Sequence, residues 1–258
     1  MVYKNIVAGR FVDRPNRFVA HVEINGVVET VHVKNTGRCR ELLLPGVKVI
    51  LEIAANPDRK TKYDLIAVYK QGFGLINMDS QAPNKVVAEW LAGQGYDVIK
   101  PEYRYGNSRI DFYMEKHRGA GAEEDKNCHR SEEEDKNCRR NGYSGDGAGQ
   151  DSIERYLMEV KGCTLEIDGM GYFPDAPTER GIKHLKELAG AVQQGYHCIM
   201  AYVIQMEGID EVRPNITTHP AYGKAVEEAL AAGVKVLFLC TEVKENELRI
   251  VSARYLEE

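Results

Sequence analysis

The pattern of apolar and polar positions changes character near residue 80. Before it, apolar residues alternate with polar ones in short runs broken by turn formers. "FVAHVEINGVVETVHV" holds two such runs on either side of Asn25-Gly26, a dipeptide favoured in tight hairpin turns. "NTGRCRELLLPGVKVILEI" reads as a turn, one short helical piece, a Pro-Gly turn and a strand, and "KYDLIAVYK" as a further strand. Several short strands with a single small helical piece predict a small β-barrel of the five-stranded oligonucleotide-binding (OB) type over residues 1–80.

From "APNKVVAEWLAGQGY" onward the periods mix. Asn84 is placed to cap a helix through Val86, Val87, Trp90 and Leu91 that stops near Gly93 to Gly95. Strands are expected at roughly 97–105, 108–114 and 155–161, then a helix at roughly 178–194 with Thr178 as its cap. An apolar strand "CIMAYVIQM", a helix at roughly 220–232, a strand "VKVLFLC" and a closing hairpin "TEVKENELRIVSARYLEE" follow. Helix, three strands, helix, strand, helix, strand predicts an α/β layer over residues 81–258, so the whole is a two-domain α+β chain. One stretch breaks this order: "EEDKNC" begins at Glu123 and again at Glu133, within a charged, glycine-rich run without apolar periodicity. Residues 117–152 are therefore expected to be a disordered surface insert.

Charge sharpens the division. The 258-residue chain carries a net charge of −5, which argues against nucleic-acid binding through the overall field. Residues 1–80 hold 12 Lys and Arg against 8 Asp and Glu, a net of +4, leaving −9 for the remainder. The first part suits phosphates and the second suits a divalent cation, although a chance asymmetry of a solvated surface gives the same figures. Six cysteines show no CxxC spacing and read as free thiols of a reducing compartment, and Cys128, His129 and Cys138 match no zinc spacing. No run is apolar enough to cross a bilayer or to act as a secretion signal, so a cytoplasmic location is expected.

The chemistry begins in "RYLMEVKGCTL". On a strand, Leu157, Glu159 and Lys161 point one way and Met158 and Val160 the other, which sets two opposite charges side by side. Alone, this is the pattern of an ordinary ion pair on a half-exposed strand. In "SRIDFYM", however, Asp111 shares a strand face with Arg109 and Tyr113. If the two strands pair, two carboxylates and an amine meet. Carboxylates held close repel unless a cation lies between them, and Mg²⁺ or Mn²⁺ bound by Asp111 and Glu159 would supply that charge. Such a metal activates water and stabilises a developing phosphorane, with Lys161 orienting the water or neutralising charge. Glu89, on the first helix, is a candidate third carboxylate or else a surface charge beside Trp90.

Further cations extend this reading. On "TERGIKHLKELAGAV" an apolar stripe of Ile182, Leu185, Leu188 and Val192 leaves Arg180, His184 and Glu187 on the opposite face, where Arg180 and His184 are candidate phosphate contacts. In the barrel, Arg10, Arg14, Arg17, Arg38 and Arg40 cluster in "GRFVDRPNRF" and "NTGRCREL" and are candidate nucleic-acid contacts; Phe11 and Phe18 read as core rather than as stacking platforms.

These segments, in this order, resemble the sugar fermentation stimulation protein A family. "GRFVDRPNRF", "NTGRCRELLLPG", "PNKVVAEWL", "SRIDFYM", "EVKGCTL", "YFPDAPTERGIKHLKEL" and "EALAAGVKV" carry the resemblance, which covers nearly the whole chain except the repeat. It implies an N-terminal OB-like barrel and a C-terminal domain similar to the restriction-endonuclease-like PD-(D/E)xK nucleases. It also implies DNA binding linked to regulation of maltose and other sugar metabolism. The nuclease pattern falls on Asp111, Glu159 and Lys161, with Glu89 as the possible helix acid. Gly162 departs from it, standing where an asparagine is expected. A metal-dependent nuclease acting on DNA and a non-catalytic DNA-binding regulator that keeps the fold are the two readings carried forward. A sugar- or nucleotide-binding module is weaker, since no glycine-rich phosphate loop is present.

Overall fold

The computed structural model describes residues 1–35, 37–118 and 152–257. Both "EEDKNC" copies, with Cys128, His129 and Cys138, lie outside the described residues.

Six strands make the first unit: β1 (Ile6–Asn16), β2 (Val19–Ile24), β3 (Val27–Val33), β4 (Lys48–Ile53), β5 (Tyr63–Lys70) and β6 (Gly74–Asn77). They are ordered β3-β2-β1-β4-β5-β6, and β3 also pairs with β5 through His32↔Asp64 and Val33↔Leu65, which closes an OB-type barrel. Alternation places Ala20, Val22, Val31, Val49, Leu51 and Leu65 inside, fully out of water. Asn25 and Gly26 take φ of 52° and 82°, the mirror-image turn whose twist matches the flanking strands. The helical piece expected in "RCREL" is instead a turn: the amides of Leu42 and Leu43 both donate to the Cys39 carbonyl, at 3.3 and 3.0 Å. Cys39 itself has φ of 45°, which no right-handed helix accommodates.

The second unit runs α1 (Ala82–Leu91), β7 (Val98–Tyr105), β8 (Ser108–Arg118), β9 (Ser152–Cys163), β10 (Leu165–Ile167), β11 (Met170–Phe173), α2 (Glu179–Val192), β12 (His197–Ile204), β13 (Val212–Pro214), α3 (Pro220–Ala231), β14 (Lys235–Lys244) and β15 (Glu247–Tyr255). Its main sheet is ordered β15-β14-β12-β9-β8-β7, with β9, β12 and β14 mutually parallel at the centre and antiparallel pairs at both edges. Side chains alternate across it. Leu157, Met200, Tyr202 and Phe238 pack under α2 and α3, while Met158, Val160, Ala201 and Leu239 pack under Val86, Val87 and Leu91 of α1. Covered on both faces, the central strands read as near-continuous apolar runs, as "CIMAYVIQM" does. The sheet β10-β11-β13 has strands of three or four residues, too short for their alternation to register in the sequence.

Three boundaries differ from expectation. Helix α1 starts at Ala82 with Gln81 as its N-cap, because Pro83 suits a first helical turn that has no use for its missing amide. Asn84 is thus inside the helix rather than capping it. Residues 1–3 join both units: Val2 bridges Glu247 and the Tyr3 amide donates to the Asn246 carbonyl at 2.8 Å, while the Tyr3 side chain packs with Ile50, Ile66 and Ala67 of the barrel. The strands β8 and β9 also take in His117, Arg118 and Ser152 from the ends of the expected insert.

The units share one interior. The barrel core and the core beneath α2 and α3 are continuous, and a buried polar bridge crosses the junction. The Gln205 amide donates to Asn77 Oδ1 at 2.9 Å and to the Asp79 carbonyl at 3.2 Å, while Tyr3 Oη donates to Asp79 Oδ2 at 3.3 Å.

Candidate active site

Strands β8 and β9 pair regularly from Arg118↔Ser152 down to Phe112↔Met158 and then part. The next step would oppose Asp111 to Glu159. Instead the Val160 amide donates to Asp111 Oδ2 at 2.8 Å, and Asn84 Nδ2 reaches from α1 to Asp111 Oδ1 at 2.7 Å. Glu159 is 2% exposed. Its Oε1 accepts hydrogen bonds from Lys161 Nζ and His184 Nδ1, and its Oε2 is buried without a partner. Arg180 Nε donates to His184 Nε2 at 3.4 Å, which leaves Nδ1 of that ring to donate to Glu159.

The environments push the two carboxyls apart. Burial raises the Asp111 pKa, the neighbouring Glu159 charge adds to this, and Lys161, Val160 and Asn84 do not fully offset it. Burial acts on Glu159 too, but the His184 hydrogen bond and the Lys161 charge outweigh it and hold Glu159 below the usual glutamate range. Both carboxylates line a cleft of about 590 Å³ whose wall also carries Lys85, Glu102, Lys161 and Arg180.

Among the sequence-expected residues, Asp111, Glu159, Lys161, Arg180 and His184 therefore come together, with one change of part. His184 is buried, and its ring is turned onto Glu159 rather than toward solvent. The buried face of α2 runs through Gly181, His184, Leu185, Leu188 and Ala191, so the stripe is rotated from the expected one by about one position and takes the histidine inside. Glu89 is elsewhere: its side chain is 62% exposed and Oε2 lies 2.6 Å from the Met1 amino group. Five positions along a helix from Asn84, it points away from the cleft.

The barrel arginines divide as well. Arg14 is structural, its guanidinium donating to the carbonyls of Arg17, Asn35, Gly37 and Arg38 at 2.7–3.0 Å. Arg10 donates to the Gly46 carbonyl at 3.3 Å and lines a separate surface hollow with Glu23 and Lys48. Arg17, Arg38 and Arg40 are exposed and line a common hollow of about 470 Å³. Phe11 is core, whereas Phe18 is 48% exposed with the Arg17 guanidinium 5.2 Å from its ring centre.

Three residues at the site were not foreseen. Asn84 was read as a cap. Glu102, on β7 opposite Asp111, is held at φ of 53° in the cleft wall, with Oε2 3.2 Å from Arg109 Nη1. Asp175 binds the barrel loop, accepting from the backbone amides of Arg38 and Cys39 with its carboxylate packed on Gly37. Only the long motifs "NTGRCREL" and "FPDAPTERG" hinted that these segments matter, and they matter to each other.

A buried carboxylate oxygen without a donor beside a second carboxylate is a fit for a hard divalent cation, since the cation supplies the missing partner. Among the described residues no group of three His, Cys, Asp or Glu side chains is arranged to hold a metal ion, so a cation at this pair would complete its shell with backbone oxygen, water or phosphate. No helix of the described residues is long and apolar enough to cross a membrane.

An OB-type barrel joined to a restriction-endonuclease-like α/β domain defines a two-domain class to which known proteins can be compared. The model of the sugar fermentation stimulation protein RE domain matches residues 81–138 and 146–247, and that of the SfsA N-terminal OB domain matches residues 12–78. A sugar fermentation stimulation protein homolog of Desulfitobacterium hafniense (strain Y51) is 49% identical over 252 residues, covering 96% of this chain and 94% of the relative. A homolog of Ruminiclostridium cellulolyticum is 44% identical over 254 residues, with 97% and 96% covered. The solved structure of Pyrococcus furiosus SfsA in complex with Ca²⁺ superposes with a TM-score of 0.70 at 23% identity, over 99% of this chain and 95% of that one. The chain belongs to the sugar fermentation stimulation protein family.

Proposed function

We infer that this protein is a metal-dependent phosphodiesterase acting on DNA, with its reaction centre at Asp111, Glu159 and Lys161. The observation that carries the reading is Glu159 Oε2, buried and unpartnered at the point where β8 and β9 part, beside a second carboxylate and a lysine. Asp111 and Glu159 would hold Mg²⁺ or Mn²⁺, a group that supplies a Lewis acid and lowers the pKa of bound water. The Pyrococcus furiosus structure described with Ca²⁺ supports a hard-cation site in this fold.

The chain's own groups would do the rest. His184 and Lys161 fix the Glu159 carboxylate and keep it ionised, and Val160 and Asn84 fix Asp111. Lys161, on the cleft wall beside Glu159, would orient the attacking water or neutralise the charge that develops on the phosphate oxygens. Arg180 and Lys85, on the cleft wall, neutralise the flanking phosphates. A link to sugar metabolism would then run through DNA.

One observation favours a second reading. Both oxygens of Asp111 already accept protein donors, as they would in a structural carboxylate of a non-catalytic DNA-binding regulator. Labelled DNA incubated with Mg²⁺, Mn²⁺ or EDTA separates the two. Cleavage that needs metal, falls to background in Glu159→Ala and drops about 100- to 1,000-fold in Lys161→Ala, with DNA binding kept, upholds the phosphodiesterase. Binding without cleavage under either metal assigns the protein to the regulator class.

A further inference from the structure

Three hollows on this molecule adjoin one another. The cleft at Asp111 and Glu159 shares Ser80 and Thr178 with a hollow of about 410 Å³ between the domains. That one in turn shares Arg17, Gly37 and Ala176 with the hollow at Arg38 and Arg40 on the barrel. Through these shared residues they lie in a row from the barrel arginines to the paired carboxylates, and we read that row as one trough. We propose that a single strand of nucleic acid occupies this trough, its backbone gripped at Arg17, Arg38 and Arg40 before it passes between the domains to the cleft.

The middle hollow selects the strand. It is bounded on one side by Asn35 and Gly37 of the barrel and on the other by the segment from Tyr172 to Thr178. Its volume of about 410 Å³ is that of a small-ligand site, too small to enclose a duplex, so the occupant we infer is one chain with its bases splayed. Cations stand at both ends: Arg17, Arg38 and Arg40 outside, and Lys85, Lys161 and Arg180 within. Asp175, a carboxylate that lines the middle hollow between them, accepts from the amides of Arg38 and Cys39, so it holds the arginine loop in place. Cys39 is buried, and its two flanking arginines therefore both project to the surface. Two rings suit base stacking: Tyr172, half-buried in the middle hollow, and Phe18, half out of water, which lines none of the hollows but lies against Arg17, a residue that lines two of them.

The inference rests on the phosphodiesterase reading only for what happens at the end of the trough, and binding in EDTA tests it without cleavage. Fluorescein-labelled oligothymidylates of increasing length, the matching oligouridylates and a duplex of the same length serve as probes. The full-length protein is expected to prefer single strands, with affinity rising with length until the trough is filled. The DNA and RNA arms decide which sugar it takes. Phe18→Ala should weaken single-strand binding by about 5- to 100-fold. Arg38→Gln with Arg40→Gln should lower the slope of log affinity against log salt by about 1.4, two phosphate contacts at about 0.7 each. All three side chains are exposed, so these variants keep the core intact. Lys244→Gln, on β14 and lining none of the three hollows, should bind as wild type does. Duplex bound as tightly as single strand, or Phe18→Ala and the arginine variants indistinguishable from Lys244→Gln, would overturn the trough whether or not DNA is cut. Single-strand binding weakened as expected, but with no cleavage under any metal, would uphold the trough and remove the phosphodiesterase.

Discussion

A glutamate removed from water stays charged only if donors replace the lost solvation, and Glu159 has two, the Lys161 amine and the His184 ring, both on one oxygen. The other oxygen is left for whatever the cleft receives. His184 is thus a positioning residue, and its effect should pass through Glu159. Outer-shell partners of this kind are worth about 10- to 100-fold in metal affinity. His184→Ala is expected to weaken Mn²⁺ binding by that factor in calorimetric titrations. His184→Asn, whose amide nitrogen can stand in for Nδ1, should restore most of it. Equal losses in both variants would mean that the ring only fills space. Three of these residues, Asp111, Glu159 and Lys161, were legible from strand alternation together with the expected pairing of two successive strands and the family resemblance; alternation alone gave an ordinary ion pair. Asn84 was not legible: an asparagine ahead of a helical run signals a cap, and only the start of the helix at Pro83 moves it inward to Asp111.

At the scale of elements, the site depends on how closely β9 approaches α1. Gly162 follows Lys161, and a Cβ there would lie 2.8 Å from Pro83 Cγ and collide with the Gln205 amide. The departure from the asparagine of the family pattern thus fits a crossing of strand and helix that leaves no room for a side chain. Gly162→Ala is expected to cost about 1–3 kcal/mol in denaturant unfolding, the range of an overpacked core position. It should also shift α1 and with it the Asn84–Asp111 contact. A stability loss below about 0.5 kcal/mol would show that the helix yields freely. Element types were readable in the second half because "CIMAYVIQM", "VKVLFLC" and the amphipathic α2 carry clear periods. The sheet β10-β11-β13 was not, since strands of three residues have no period to read. The barrel loop at Cys39 was misread for a related cause: its conformation comes from Arg14 and Asp175, distant in sequence, rather than from local propensity.

For the molecule as a whole, the barrel is tied together by largely buried charge. Lys34 Nζ lies 3.4 Å from Asp79 and 3.5 Å from both Glu52 and Asp64, and Asp64 also receives Arg59 Nη1 and Nη2 at 2.9 and 2.8 Å. Burial disfavours the Asp64 charge, but Arg59, His32 and Lys34 outweigh it and bring its pKa down to about 2. A carboxylate depressed in the folded state stabilises it fully above the unfolded value and ceases to do so as pH falls through the folded value. The contribution, about 2 kcal/mol, should therefore be complete above pH ~4 and vanish by pH ~2. Wild type and Asp64→Asn, compared in urea between these limits, should differ at neutral pH and converge in acid. A difference that persists unchanged at the acid end would assign the loss to packing instead of charge.

The sequence by itself determined the two-domain division, the strand and helix types with strong periods, and the three residues that place two carboxylates and an amine on neighbouring strands. These follow from local rules, alternation and helical spacing, which any segment carries within itself. The tertiary structure alone decided that Glu159 keeps one oxygen free, that His184 turns inward and Glu89 outward, and that Arg14 braces a loop while Arg17, Arg38 and Arg40 face solvent. Each of those outcomes depends on which distant groups compete for the same hydrogen bond or the same volume, and that competition exists only once the barrel and the sheet are packed against each other.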